Sequence, residues 1–130
     1  MLNQYSRAEL LYGSDNMELL RNCRVAFFGI GGVGGSAVEA LARMGIGTLD
    51  LIDNDRVCLT NLNRQIFATR STIGKYKVDA ARERIADLDP EITVNTWPTF
   101  FLPENAAQFD FRQFDYVVDA IDTVTATIQI

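Results

Sequence analysis

The sequence predicts an α/β protein: a Rossmann-like, doubly wound, mostly parallel sheet with helices on both faces. Three observations predict it. Short apolar runs alternate with helically spaced segments along the chain, the pattern of a parallel sheet built with right-handed crossovers. Val25 to Phe28 is fully apolar and runs straight into glycines at 29, 31, 32, 34 and 35. Strand, glycine turn and helix together aim free backbone N–H groups and a helix dipole at an anion. A second strand ends at Asp53, 24 positions after Gly29, about the spacing of an acidic group that bonds ribose hydroxyls.

Ser6 to Leu11 and Asp15 to Arg21 read as two short helices within an N-terminal helical segment, residues 1–22. Ser14 or Asp15 is a plausible N-cap for the second. Val25 to Phe28 is the first strand and Val33 to Met44 the first crossover helix, closed by Gly45 and Gly47. Thr48 to Ile52 is the second strand, and 54–72 a long polar loop. Lys75 to Leu88 has helical spacing and ends at Asp89-Pro90. Ile92 to Trp97 is a third strand, Pro103 to Gln108 a short helix, and Tyr116 to Val118 a fourth strand leading into Asp119 and Asp122. The chain reads as one domain over 1–130, the front part of a doubly wound sheet that stops after its fourth strand. The alternative is a naturally small four-stranded domain.

Composition narrows the chemistry. The 130 residues are 48% hydrophobic, enough for a core. A net charge of −5 argues against a free-standing nucleic-acid binder, DNA included, while leaving room for a local basic patch. The chain contains no histidine, which removes Ser-His and Cys-His nucleophiles and histidine metal sites. Cys23 and Cys58 form no CxxC motif, so no zinc site is expected. Cys23 is expected buried at a strand entrance and Cys58 packed in a loop. With no signal segment and no apolar run of about 18 residues, the expected compartment is the reducing cytoplasm, with no membrane segment.

Ligands of such sheets sit beyond the carboxyl ends of the strands. There the sequence puts Gly29, Gly31, Gly32, Gly34, Asp53, Asp55, the loop from Arg56 to Arg70, Asp119 and Asp122. Asp53 alone suits NAD and ATP equally. The loop run Asn61-Leu62-Asn63-Arg64-Gln65 and the helix opening Gly74-Lys75-Tyr76-Lys77 add a cation cluster. Arg64 and Lys77 exceed what a pyrophosphate held at a helix N-terminus needs. They suit a triphosphate from which pyrophosphate must leave. Asp122, at a strand tip, is placed to hold Mg²⁺. The bland alternatives are surface solvation for Arg64 and Lys77 and a helix N-cap for Asp122.

These residues bear a resemblance that covers the whole chain. Gln4-Tyr5-Ser6-Arg7 with Leu11 and Gly13, the loop Gly29 to Gly34, Leu51 to Asp55, Asn61 to Gln65, Gly74 to Lys77 and Asp119 to Asp122 resemble, in order, the adenylation domain of the ubiquitin-activating superfamily. That superfamily includes the molybdopterin-synthase and thiamine-pathway adenylyltransferases. Ser6 to Gly13, Asp55 to Asn61 and Asp119 to Thr125 look most like its dehydratase branch. Those members use ATP to activate the carboxylate of threonylcarbamoyladenosine in tRNA before it cyclises.

The resemblance implies that Gly32 and its neighbours meet the phosphates and Asp53 the ribose. It implies that Asn61, Arg64 and Lys77 contact the triphosphate and that Asp122 binds Mg²⁺, with Gln65 in the same motif. It further implies a homodimer in which Arg7 reaches the partner's site. Thr123 stands where many carrier activators have Asn, which points away from carrier activation. The superfamily's second half, with further strands and substrate contacts, has no counterpart in these 130 residues. Three readings follow: an adenylating enzyme acting on tRNA, an activator of a small sulfur-carrier protein, or an inactive nucleotide-binding fragment. An NAD oxidoreductase ranks last, since Arg64 and Lys77 would then have no task.

Overall fold

The computed structural model describes residues 3–99 and 110–121. Its centre is a four-stranded, all-parallel sheet in the order β3-β2-β1-β4, from β1 (Arg24–Phe28), β2 (Thr48–Ile52), β3 (Thr93–Trp97) and β4 (Tyr116–Asp119). β1 and β2 lie inside the sheet and bury their last four residues each, so they read as continuous apolar runs rather than alternating ones. Asp50 is the exception. It is fully buried, and its carboxylate accepts from Arg24 Nε at 2.7 Å, Arg24 Nη2 at 2.9 Å and Asn95 Nδ2 at 3.2 Å. Removing Arg24 would strand a charge in the sheet at a cost of about 3–5 kcal/mol.

Four helices accompany the sheet among the described residues: α1 (Ser6–Tyr12), α2 (Ser14–Arg21), α3 (Gly32–Met44) and α4 (Lys77–Leu88). The winding runs β1 to β2 to β3 in one direction, and right-handed crossovers then put α3 and α4 on the same face. Val38, Ala42, Val78, Ala81 and Ile85 accordingly form one core with Val25, Phe27, Leu49 and Leu51. The other face carries a second cluster of Ala26, Phe28, Ile52 and Phe114. The sequence-predicted helix at 103–108 lies outside the described residues.

Some boundaries differ from the sequence reading, each for a local reason. α2 starts at Ser14 with Gly13 as N-cap and no side-chain cap bond, so neither Ser14 nor Asp15 caps it. Gly13, at φ 84°, makes the tight link between α1 and α2 that a side chain would resist. α4 starts at Lys77 rather than Lys75, because 75–76 is held extended. Val57 N donates to Lys75 O, Lys77 N donates to Asp55 O, and Arg56 bridges Tyr76. The polar loop contains a 3₁₀ turn at Leu59–Asn61. Cys23 is half-buried, whereas Cys58 is exposed, its sulfur 3.6 Å from Arg56 O. The turn aims that side chain outward while its amide is used inside the loop.

The N-terminal segment is fastened to the far end of α4. Tyr5 Oη donates to Asp89 Oδ2, Arg21 Nη1 donates to the same oxygen at 2.9 Å, and the Arg21 guanidinium lies 5.3 Å over the Tyr5 ring. Gln4 Nε2 adds a bond to Leu88 O at 3.0 Å.

Candidate functional site

A cavity of about 700 Å³ opens beyond the carboxyl ends of β1, β2 and β4. It lies where the chain, after filling one side of β1, returns to the other side as β4, the switch point at which doubly wound sheets bind ligands. Gly29, Gly31, Gly32, Asp53, Asp55, Asn61, Arg64, Gln65, Lys77 and Asp119 all line it.

The glycines divide the work. Gly29 has φ 93°, and a Cβ there would sit 2.6 Å from Ala120 O, so the tips of β1 and β4 could not approach. A Cβ at Gly34 would sit 2.1 Å from Gly29 O, so this glycine seats α3 on the loop and lies behind the cavity wall. Gly32 opens α3, and a Cβ there would meet nothing within 4 Å. No side chain caps the start of α3. The first-turn N–H groups therefore face an open space with the positive end of a helix dipole behind them.

Asp53 directly follows β2 and works on the loop itself. Its Oδ2 accepts from Ile30 N at 3.0 Å and its Oδ1 from Asp55 N at 2.8 Å. Each oxygen keeps lone-pair capacity for a hydroxyl donor. The Lys77 ammonium enters from the first turn of α4, 3.6 Å from Asp55 Oδ2, with 9% of its side chain exposed. Lys77 is thus a buried, paired cation at the cavity wall, and surface solvation does not account for it.

The loop supplies the opposite wall. Asn61 is buried, and its Oδ1 accepts from Cys58 N at 2.9 Å while its N–H donates to Cys58 O at 2.9 Å. That reciprocal pair closes the 3₁₀ turn and leaves Nδ2 as the group for a ligand. Arg64 is exposed, held by Thr60 O at 2.9 Å and Asn63 Oδ1 at 3.0 Å. It carries no carboxylate partner among the described residues. Gln65 Nε2 lies beside Gly31.

Two sequence candidates stand apart. Arg7 is exposed on α1 and does not line the cavity. Asp122 lies outside the described residues. Asp119, three positions before it, lines the cavity and accepts from Ile121 N at 3.1 Å. Sequence reasoning missed Val33, Asn54 and Thr99 as lining residues. Asn54 and Thr99 follow the ends of β2 and β3, so the strand-tip rule alone could have found them. Among the described residues no three His, Cys, Asp or Glu side chains gather as a metal cage. No helix among them is long and apolar enough to cross a membrane.

A glycine-started helix, an acidic strand tip and two cations around one switch-point cavity define a Rossmann-like nucleotide-site protein. The chain belongs to the ThiF family, whose model matches residues 5–130. It is 47% identical over its full length to the tRNA threonylcarbamoyladenosine dehydratase of Bacillus subtilis, covering 51% of that protein. It is 46% identical over 114 residues to the Escherichia coli enzyme of the same name, covering 88% of this chain and 42% of that one. The solved structure of the E. coli enzyme in complex with ATP superimposes with a TM-score of 0.93 at 42% identity, over 97% of this chain and 52% of that one. A more distant relative is an adenylyltransferase and sulfurtransferase of Ogataea parapolymorpha, 35% identical over 94% of this chain and 32% of that protein. The chain thus spans about half the length of the curated dehydratases it matches.

Proposed function

We propose that this chain is the nucleotide-binding part of an ATP-dependent adenylating enzyme, with the carboxylate of threonylcarbamoyladenosine in tRNA as acceptor. The observation that carries it is the pairing of the open α3 N-terminus at Gly32 with the Lys77 and Arg64 cations around one cavity. A dinucleotide needs the first; a departing pyrophosphate needs both. An acceptor carboxylate oxygen attacks the α-phosphorus, the bond from that phosphorus to the bridging oxygen breaks, and pyrophosphate leaves. Cyclisation then expels AMP, which carries away the carboxylate oxygen.

In this reading the first-turn N–H groups of α3 hold phosphate oxygens, and Asp53 accepts from the ribose hydroxyls. Asn61, Arg64 and Lys77 neutralise charge growing on the leaving group, with Gln65 beside them. No protein nucleophile is required; positioning and electrostatics supply the acceleration. The carboxylates lining the cavity are hard oxygen donors without a closed cage, a fit for Mg²⁺, which takes one or two carboxylates plus phosphates. We assign Asp122 to it. Mg²⁺ bound there would add positive charge to the triphosphate. We assign Arg7 to the partner's site in a homodimer and the reaction to the cytoplasm.

The sulfur-carrier alternative keeps the same ATP chemistry on a C-terminal glycine and draws on the Ogataea relative. Pyrophosphate exchange into ATP separates the readings. Exchange that depends on tRNA bearing threonylcarbamoyladenosine is the expected result. Exchange that depends only on a carrier protein with a glycine C-terminus would replace this acceptor by the alternative.

A further inference from the structure

Charge is distributed very unevenly along the chain. Residues 56–84 hold seven of the twelve basic residues and only two of the seventeen acidic ones, so this segment carries +5 against −10 for the remainder. Several of these cations are neutralised: Lys75 by Glu83, with both oxygens at 2.9 Å, Lys77 by Asp55, and Arg84 by Glu39. Arg56, Arg64 and Arg70 are exposed and have no carboxylate partner among the described residues. In an acidic protein, three unpaired arginines on one loop are an unbalanced positive surface.

Arg56 and its bridge partner Tyr76 each stand one position from a cavity-lining residue, Asp55 and Lys77. Arg56 bridges Tyr76, stacks 4.1 Å over its ring and donates Nη1 to Gly74 O at 2.9 Å. The turn bearing Arg70 is closed by Thr72 Oγ1, which takes a bond from Thr69 N at 2.9 Å and donates to Phe67 O at 2.9 Å, and Lys75 N donates to Thr72 O. Arg70 therefore leads directly into the strand-like pair on which Arg56 lies. The inner side of the same loop presents Asn61, Arg64 and Gln65 to the cavity, whereas Arg56 and Arg70 do not line it. One loop thus has an inner, nucleotide-facing side and an outer cationic side.

We propose that the outer side, Arg56 and Arg70, docks the phosphate backbone of the acceptor RNA and so delivers its carboxylate to the nucleotide cavity. This rests on the adenylation reading above. Planar guanidinium forks suit phosphate oxygens, and the acidic remainder of the chain repels RNA, leaving this face as the approach. RNA with a charge on every nucleotide also gains from counterion release at each neutralised phosphate, which steepens the fall of log K with log salt by about 0.7–0.9 per contact.

The test is fluorescence anisotropy of labelled tRNA with this chain across a salt series, without ATP, beside calorimetric titration of ATP. Arg70→Glu, at a residue with no hydrogen bond or ion pair among the described residues, should weaken tRNA at least 10-fold. Combined with Arg56→Gln it should reduce the salt slope by about 1.5. Lys75→Ala, whose charge is already neutralised, should change tRNA affinity less than 2-fold, and all variants should keep ATP affinity. Wild-type tRNA binding that the Arg70 and Arg56 variants leave intact overturns the proposal, as does absence of tRNA binding. Loss of an acidic carrier protein's binding in place of tRNA would reassign the face to a protein. Loss of ATP affinity alone would return the loop to the nucleotide site. Because the RNA titration uses no ATP, its failure leaves the adenylation reading standing, and absence of ATP binding with intact RNA binding would do the reverse.

Discussion

Lys77 and Arg64 reach the cavity in different states, and their variants should differ accordingly. Lys77 is nearly enclosed and paired with Asp55, whose side chain is 65% exposed. Lys77→Ala leaves behind a carboxylate that water can solvate, so the fold should survive with little change in Tm. In an active enzyme each of Lys77→Ala and Arg64→Ala should cost about 2–4 kcal/mol of transition-state stabilisation, the usual size for one charge-stabilising donor. Steady-state kinetics checks this: a fall in kcat with KM little changed is expected. A rise in KM alone would mean that the cations bind ground state and transition state equally. Asn61 shows how little of a residue's job its type reveals. The family resemblance placed it at the triphosphate, yet half of its carboxamide closes its own turn. Asp53 likewise holds the glycine loop with one oxygen and its own turn at Asp55 with the other before any ribose arrives.

At the scale of elements, the clasp between the N-terminal helices and α4 sets a pH window. Burial, then the hydrogen bond to Asp89, pushes the Tyr5 phenol up from 10.0 to about 12. Burial also pushes the Asp89 carboxyl up, but Tyr5, the Glu91 amide and Arg21 together hold it below its ordinary 3.8. A phenol with a raised folded-state pKa stabilises fully below its unfolded value and loses that contribution as pH climbs from about 10 to about 12. A carboxyl with a lowered one stabilises above its unfolded value and loses that contribution as pH falls below it. Tyr5→Phe should cost about 1.5 kcal/mol at pH 7, the scale of a bond to a charged group. It should also flatten the alkaline loss of stability and shrink, without abolishing, the acid arm, where the Glu91 amide and Arg21 still hold Asp89. Urea melts at pH 7 and pH 11 check both; an unchanged alkaline arm would remove Tyr5 from the clasp. The strands were legible because β1 and, but for Asp50, β2 are short continuous apolar runs bounded by turn residues, as in a sheet covered on both faces. The start of α4 was not, because the partners that hold Lys75 and Tyr76 extended lie at Asp55 to Val57, about twenty residues away. No periodicity carries that pairing.

For the whole molecule, the exposed apolar side chains are unevenly placed. Leu10, Leu11 and Tyr12 stand out on α1, the helix that carries the exposed Arg7, Leu19 stands out on α2 and Val33 is 83% exposed at the start of α3, while Leu59, Ile73 and Tyr116 are exposed singly elsewhere. Clustered apolar surface marks an interface, and a neighbour's α1 meeting this glycine loop would bring Arg7 to the cavity. Light scattering should therefore give a dimer, Leu11→Asp a monomer, and Arg7→Ala a dimer with slowed turnover. A stable monomer of the unaltered chain at tens of micromolar would return Arg7 to the surface. The cavity's identity remains the centre of the account, and calorimetry with ATP·Mg²⁺ and with NAD on the same protein tests it most directly. ATP·Mg²⁺ binding more tightly than NAD is the predicted result. NAD binding more tightly than ATP·Mg²⁺ would contradict it.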